Sequence, residues 1–306
     1  MPRHVPLPTE LSGAFSVRAG RQAGLTVHRT RGPDLRRPFS GARIRATADP
    51  TLRTLCAAYL LRSPPGHFFS HVTAARLWRI PLPRALEVRG ALDVAVVKPR
   101  AVPRATGVRG HRLVPHDLSV RLRFGLPVSD AVSTWCQLGT VLGHDDLVAA
   151  GDYLVRIPRI QEPGECRPFA RPDDLAAVAA AHRGPGTRAL RAAAALVREG
   201  ADSRRETLLR LLLLRAGLPE PELNQEIFGS SGDSLGYADI LYRKQGVIVE
   251  YDGDQHRVDY DQFEKDAVRL DSFRRVVREV IQVRKKGLYE GREDTVARVR
   301  RALAPP

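Results

Sequence analysis

Apolar and polar residues follow their most regular pattern over the last hundred residues of the chain. Ser203 is typical of the residue that precedes a helix, and Gly217 with Pro219 is typical of a helix end. The apolar spacing around these signals predicts the order α-β-β-β-α-β-α, which is an α/β arrangement. The predicted elements are a helix at about 204–216, strands at about 223–228, 237–243 and 246–252, a helix from about Tyr260, a strand at 280–284 and a helix at about 292–303.

The first two hundred residues give weaker patterns. Residues 14–48 predict a short helix, a turn, a very basic helix around 28–31 and a strand, in the order of a winged helix-turn-helix. Prolines between residues 158 and 172 indicate the start of a linker. The predicted segments are a loose N-terminus at 1–13, a winged-helix-like region at 14–48, a mixed α+β domain at 49–157, a linker with Ala-rich helices at 158–200 and an α/β domain at 201–306.

The charge of the chain is unevenly distributed. The sequence has 49 Lys+Arg and 34 Asp+Glu, a formal net charge of +15, and residues 201–306 contain 19 of each sign. The first 200 residues therefore carry the whole excess, and arginine pairs well with phosphate. We expect DNA as the polyanionic partner, with His28, Arg29 and Arg31 as candidate contacts. The alternative is that these three residues belong to a solvated charged run.

Composition excludes several classes of protein. A hydrophobic content of 43% is too high for a disordered chain, and no apolar run approaches the roughly 18 residues of a membrane helix. Cys56, Cys136 and Cys166 are odd in number and scattered, which indicates neither a disulfide framework nor a zinc site. We expect a cytoplasmic protein without a membrane partner, in which Trp78 and Trp135 are core residues.

Three acidic residues stand in predicted strands where apolar residues are usual. Asp239 lies inside the segment 237–241, and Glu250 follows the apolar run at 247–249. Asp252 stands two residues after Glu250 and therefore on the same face of its strand. If the two strands form a hairpin, all three carboxylates converge at one end of the sheet.

Clustered carboxylates indicate a bound cation, because they repel one another and are costly to desolvate. Oxygen ligands favour Mg²⁺ or Mn²⁺ over zinc. We predict that Asp239 and Glu250 hold this ion with assistance from Asp252, where it can orient a water and neutralise a scissile phosphate. His256 is the candidate base or leaving-group acid, or else a solvated loop histidine.

Other residues near this pattern also have a purely structural interpretation. Glu206 completes a capping box with Ser203, which accounts for it without chemistry. Asp252 with its following glycine is a typical turn dipeptide. Asp266 and Arg269 are three residues apart on the predicted helix, where they would form an ordinary surface ion pair.

The acidic pattern resembles a known nuclease core. Asp239-x10-Glu250-x-Asp252 resembles the PD-(D/E)XK restriction-endonuclease-like motif. The segment 249–256, followed by Asp266 and Arg269, is similar to actinobacterial endonuclease-domain proteins of the very-short-patch-repair (Vsr-like) branch. Ser203-x-x-Glu206 with Thr207 and Arg210, and the Gly-Leu-Pro at 217–219, also match that group. More loosely, the N-terminal half resembles the winged-helix antitoxins of abortive-infection systems, and the strings that carry this are 70–78, 81–83 and 151–152.

The resemblance implies a metal-dependent DNA endonuclease fold over about residues 200–304, with Glu206 near the metal. It also implies a possible protein partner from a defence or toxin–antitoxin system. The lysine that usually follows the motif glutamate is replaced here by Asp252, so cleavage would depend on His256 or a metal-bound water. Lys285 and Lys286, after the last strand, are candidate substitutes for that lysine.

The alternative function is a non-catalytic DNA-binding regulator of the antitoxin type with an inactive nuclease-like domain. An acid cluster open to solvent, beside a groove that fits a duplex, favours the nuclease. A cluster closed by neighbouring arginines favours the regulator. An RNA nuclease is less favoured, because the sequence shows no aromatic stacking platform.

Overall fold

The chain divides into two compact units, residues 1–141 and 142–306. The computed structural model describes residues 6–46, 49–88, 90–115, 118–253 and 260–305, with the backbone alone at 260–266. Each unit combines helices with β-sheet, so the protein is of the predicted mixed α/β type. None of the helices in the described ranges is long and apolar enough to cross a membrane. The division into two units is coarser than the five segments predicted from the sequence.

The first unit begins with a small antiparallel sheet. Its strands are β1 (Phe15–Ser16), β2 (Leu35–Arg36) and β3 (Ala42–Arg45), with β3 between the other two. Helix α1 (Val17–Gln22) starts directly after β1, because Ser16 Oγ accepts a hydrogen bond from Ala19 N at 3.0 Å. This helix confirms the short helix predicted for the segment.

The basic segment is shorter than the predicted helix. Arg29–Arg31 form a three-residue 3-10 helix, and Arg29 N donates a hydrogen bond to Thr26 Oγ1 at 3.1 Å. Gly32 and Pro33 follow immediately. Because proline lacks an N–H and disfavours helical backbone in the residue before it, the helix ends after one turn.

The rest of the first unit is built on a mixed sheet. Its strands are β4 (Phe68–Phe69), β5 (Leu92–Val97), β6 (Val108–Leu113), β7 (Val120–Arg123) and β8 (Leu126–Ser129). Over the residues described, the strand order is β6-β5-β4-β8-β7. The helices are α2 (Leu52–Leu60), α3 (His71–Leu77), α4 (Arg84–Glu87) and α5 (Ala131–Leu138). Trp78 and Trp135 are buried here, which confirms them as core residues.

The second unit starts with the helices α6 (His144–Val155), α7 (Pro172–Ala181) and α8 (Thr187–Ala194). Asp152 of α6 is buried and accepts hydrogen bonds from Thr207 Oγ1 at 2.8 Å and from Arg210 Nη2 at 3.1 Å. Both donors belong to α9 (Arg204–Arg215). This buried ion pair holds α6 against α9, so α6 belongs to the C-terminal unit although the sequence placed it in the mixed domain.

The C-terminal sheet consists, in the part described, of β9 (Glu222–Phe228), β10 (Ser234–Tyr242), β11 (Val247–Asp252) and β12 (Glu279–Arg284). Strands β9, β10 and β11 are antiparallel neighbours, and β12 pairs with β11 in parallel. A parallel pair needs a crossover, which α10 (Tyr260–Arg274) provides. Helices α11 (Lys285–Tyr289) and α12 (Arg292–Leu303) complete the chain. The predicted elements agree with the observed ones to within a few residues, and α11 is an additional helix that was not predicted.

Strand β11 is buried on both faces of this sheet. Val247 and Val249 pack into the cluster that contains Leu209 of α9, and Ile248 packs with Phe273 of α10. Because both faces are buried, such a strand has a continuous run of apolar residues in its sequence. The run ends at the first acidic residue of the strand, where the candidate site begins.

Candidate functional site

The acidic residues lie where the two central strands part. The paired register of β10 and β11 extends to Ile240 opposite Val249, and Asp239 and Glu250 are the next residues on the two strands. Glu250 Oε1 accepts a hydrogen bond from Asp239 N at 3.0 Å, and Asp239 Oδ2 accepts one from Tyr251 N at 2.8 Å. Each carboxylate therefore accepts a backbone N–H of the opposite strand. These contacts fix the two side chains at the end of the hairpin ladder.

Glu206 contributes a third carboxylate from the first turn of α9. Ser203 Oγ caps that helix by accepting a hydrogen bond from Glu206 N at 3.2 Å. Glu206 Oε2 accepts hydrogen bonds from Asp202 N at 2.8 Å and from Asn224 Nδ2 at 3.1 Å. The contact with Asn224 connects Glu206 to β9, so capping accounts for only part of its role.

Burial and like charge raise the pKa values of this cluster. Burial raises the pKa of Asp239 well above its ordinary value, and the charges of Glu250 and Glu206 raise it further. Burial also raises the pKa of Glu206 to about 7, with smaller contributions from the charges of Asp202 and Glu250. Full ionisation of the cluster is therefore unfavourable at neutral pH, and a bound cation would relieve the repulsion.

Two arginines contact the acidic residues. Arg269 of α10 forms an ion pair with Glu250, with Nη2 2.9 Å from Oε2, and donates a hydrogen bond from Nη1 to Tyr237 O at 2.6 Å. Arg284 of β12 lies opposite Asp252 in the parallel register and pairs with it, with Nε 2.8 Å from Oδ2. Glu250 and Asp252 are therefore partly neutralised from within the domain.

The donor set fits a hard divalent cation such as Mg²⁺ or Mn²⁺. Asp239 Oδ1 and Glu206 Oε1 accept no hydrogen bond from any residue that the structure describes. Over the same ranges, no three His, Cys, Asp or Glu side chains are grouped tightly enough to hold a metal ion.

Asp239 and Glu250 lie together at the end of the hairpin ladder, and Glu206 is near enough for its charge to raise the pKa of Asp239. Three of the five predicted catalytic residues therefore belong to one cluster. Asp252 instead makes its ion pair with the neighbouring edge strand. His256 lies outside the described residues, so its role stays a prediction.

Sequence reasoning missed Asn224 and Arg284 at this site, and it predicted a different partner for Arg269. Asn224 has a backbone φ of 49°, which asparagine tolerates better than most residues, and an Asn inside a strand pattern was the available signal. The helical spacing predicted an ion pair between Arg269 and Asp266. The Asp266 side chain lies outside the described residues, and Arg269 forms an ion pair with Glu250. No local signal identifies Arg284, because its contact depends on parallel strand register.

The predicted DNA contacts lie in the first unit. His28 and Arg31 are exposed, whereas the Arg29 side chain is only 11% exposed. Arg29 forms a bidentate ion pair with Asp34, at 2.9 Å for Nη1–Oδ1 and 2.8 Å for Nη2–Oδ2. Arg29 therefore stabilises the turn after the 3-10 helix.

No protein-family model, curated protein or solved structure matches this chain. The resemblance to Vsr-like endonucleases rests on the residues quoted for it.

Proposed function

We propose that the protein is a metal-dependent DNA endonuclease that docks on DNA through its basic N-terminal region. The observation that carries this proposal is the pairing of Asp239 with Glu250 at the parted end of the β10–β11 hairpin, with Glu206 adding a third negative charge. An ordinary sheet would have apolar residues at these positions. The acidic residues are costly there unless a cation binds them.

The element order supports a finer proposal for the fold. A helix, three antiparallel strands, a crossover helix and a parallel fourth strand are the arrangement expected of a restriction-endonuclease-like, Vsr-like core. In the first unit, β1 is followed by α1, the 3-10 helix and the β2–β3 hairpin. The three strands form one sheet with β3 in the middle. This order supports a reduced winged-helix-like region at 14–48.

In this proposal Asp239 and Glu250 hold Mg²⁺ or Mn²⁺, with Asp252 assisting. A divalent cation bound there supplies charge neutralisation for a phosphodiester under attack. Glu206 orients the site, because the hydrogen bonds that its Oε2 accepts from Asp202 N and Asn224 Nδ2 fix the position of its carboxylate. His256 remains the candidate for proton transfer.

DNA docking would use the exposed part of the basic segment. The first 200 residues carry 30 Lys+Arg and 15 Asp+Glu, and phosphate contacts dominate affinity for DNA. Because Asp34 holds Arg29, we propose that Arg29 positions the segment while His28 and Arg31 contact the backbone of DNA.

A second candidate function is the non-catalytic DNA-binding regulator. The observation that favours it is the pairing of Arg269 with Glu250 and of Arg284 with Asp252. Arginines in these positions can replace a metal ion as the neutralising charge. In that case the acidic residues serve the folding of an inactive nuclease-like domain or contact with a protein partner.

Cleavage of supercoiled plasmid and of a short mismatched duplex, with Mg²⁺ or Mn²⁺, separates the two functions. The nuclease predicts metal-dependent nicking that Asp239→Asn and Glu250→Gln both abolish while DNA binding is retained. Glu222→Gln, at an exposed ion pair on the same sheet, is the matched control and should retain activity. Binding without nicking in the unmodified protein would favour the regulator.

A further inference from the structure

The first unit contains a cavity of about 920 Å³, which is within the range of sites for small ligands. Three stretches of chain line it. They are residues 37–43 in the β2–β3 hairpin, residues 59–67 at the end of α2, and the loop at 101–106. Neither proposed function uses this cavity.

The cavity is rich in positive charge, and none of the described residues that line it is acidic. Its arginines are Arg37, Arg43, Arg62 and Arg104. Arg43 is only 8% exposed and donates hydrogen bonds to Thr30 O at 2.6 Å and Ala42 O at 2.8 Å. Among the residues described, no carboxylate pairs with it. Burial and the charges of Arg37 and Arg31 lower the pKa of Arg43, and an anion bound in the cavity would offset that repulsion.

Gly41 explains how one of these arginines reaches the cavity. Its φ of 75° belongs to the left-handed region, and a Cβ built there would lie 3.1 Å from Arg62 Nε. A glycine at the hairpin therefore both makes the turn and allows Arg62 to pack across it. A planar guanidinium can bind a phosphate through two parallel hydrogen bonds, so several arginines around one cavity favour a phosphate ligand.

Aromatic rings form another part of the wall. Phe39 packs edge-on against Tyr59, with ring centroids 5.4 Å apart, and Tyr59 stacks on His67 at 6.0 Å. The Tyr59 hydroxyl lies 2.7 Å from His67 Nδ1, which fixes that ring. Burial and the charge of Arg100 lower the pKa of His67, so its imidazole is neutral at neutral pH. Neutral flat rings are suitable stacking partners for a nucleobase.

We propose that this cavity binds a nucleotide, with its phosphate on the arginines and its base against Phe39 and His67. Inorganic phosphate would leave the aromatic wall unused, and a neutral nucleoside would leave the arginines without an anion. A free mononucleotide and a phosphorylated DNA end present the same chemistry. The inference does not depend on the carboxylate cluster and goes beyond the proposed function.

Isothermal titration of the full chain with dAMP, deoxyadenosine and inorganic phosphate tests the proposal. We expect dAMP to bind at least about tenfold more tightly than either fragment. The double variant Arg37→Gln with Arg62→Gln, at two exposed positions, should weaken dAMP binding by about tenfold or more. Arg18→Gln with Arg121→Gln removes the same charge from exposed positions of this unit that do not line the cavity, and should bind like the unmodified protein.

Oligonucleotides with and without a 5′-phosphate identify the source of the ligand. A preference for the phosphorylated end indicates DNA, whereas dAMP binding with no such preference indicates a free nucleotide; both support the site. The proposal is wrong if dAMP does not bind, if phosphate alone binds as tightly, or if the control pair loses affinity equally. Repeating the titration on Glu250→Gln separates this result from any failure of the nuclease proposal.

Discussion

Removal of the Glu206 charge should make the protein less sensitive to pH. The side chain is buried, and its pKa is about 7 against an ordinary 4.5. Because the folded pKa is the higher one, the folded state is favoured while Glu206 is protonated. That stability is fully present below about pH 4.5 and is lost as the pH rises through about 7. At about 1.4 kcal/mol per pH unit, the loss corresponds to about 3 kcal/mol of the free energy of unfolding.

Urea denaturation of the unmodified protein and of Glu206→Gln, without divalent ions, measures this loss. The free energy of unfolding of the variant, relative to the unmodified protein, should increase by about 3 kcal/mol between about pH 4.5 and pH 8. Trp78 and Trp135 both lie in the first unit. The transition of the second unit is therefore followed by far-UV circular dichroism and not by tryptophan fluorescence.

Glu293→Gln controls for the loss of one charge, because Glu293 is exposed in α12. A pH-independent difference between Glu206→Gln and the unmodified protein would refute the reasoning. It would mean that neither burial nor the neighbouring carboxylates raise the pKa of Glu206 in the folded protein.

Further predictions concern other buried groups. Asp152→Asn removes the buried carboxylate partner of Arg210, whose remaining ion pair is with the partly exposed Glu220, and should lower the free energy of unfolding by about 3–5 kcal/mol in urea denaturation. Glu222→Gln, at an exposed ion pair, should change the free energy of unfolding by less than about 1 kcal/mol. Equal losses in the two variants would contradict both predictions. Burial raises the pKa of Cys56 to about 12, so iodoacetamide at about pH 8 should modify the exposed Cys166 and spare Cys56 in peptide mass spectrometry. Equal modification of the two cysteines would contradict this.

The C-terminal elements were predictable because local signals agree with the tertiary arrangement. Ser203 caps α9 as predicted, and the apolar run at 247–249 is the strand buried on both faces. The basic segment at 28–31 shows the limit of such signals. Its charge and length suggested a recognition helix, but the Gly-Pro that follows allows only one turn.

The convergence of Asp239 and Glu250 could also be predicted, because a hairpin fixes which residues face each other. The contacts that the arginines make with these acidic residues could not be predicted. The pairing of Arg269 with Glu250 depends on how α10 packs on the sheet, and the pairing of Arg284 with Asp252 depends on parallel register across a crossover. The charge excess of the first 200 residues likewise did not indicate where an anion would bind. The fold places four arginines and three aromatic rings around one cavity.

Binding of Mn²⁺ to the carboxylate cluster is the most direct test of the central claim that these acidic residues form a cation site. Metal-free protein is titrated with Mn²⁺ and the free ion is measured by electron paramagnetic resonance. Asp239→Asn and Glu250→Gln should each weaken binding by at least about tenfold, because each removes an ionised ligand. Asp233→Asn, in the exposed hairpin loop, should leave the affinity for Mn²⁺ unchanged. A protein that binds DNA but no Mn²⁺, or variants that bind Mn²⁺ as tightly as the unmodified protein, would contradict the account.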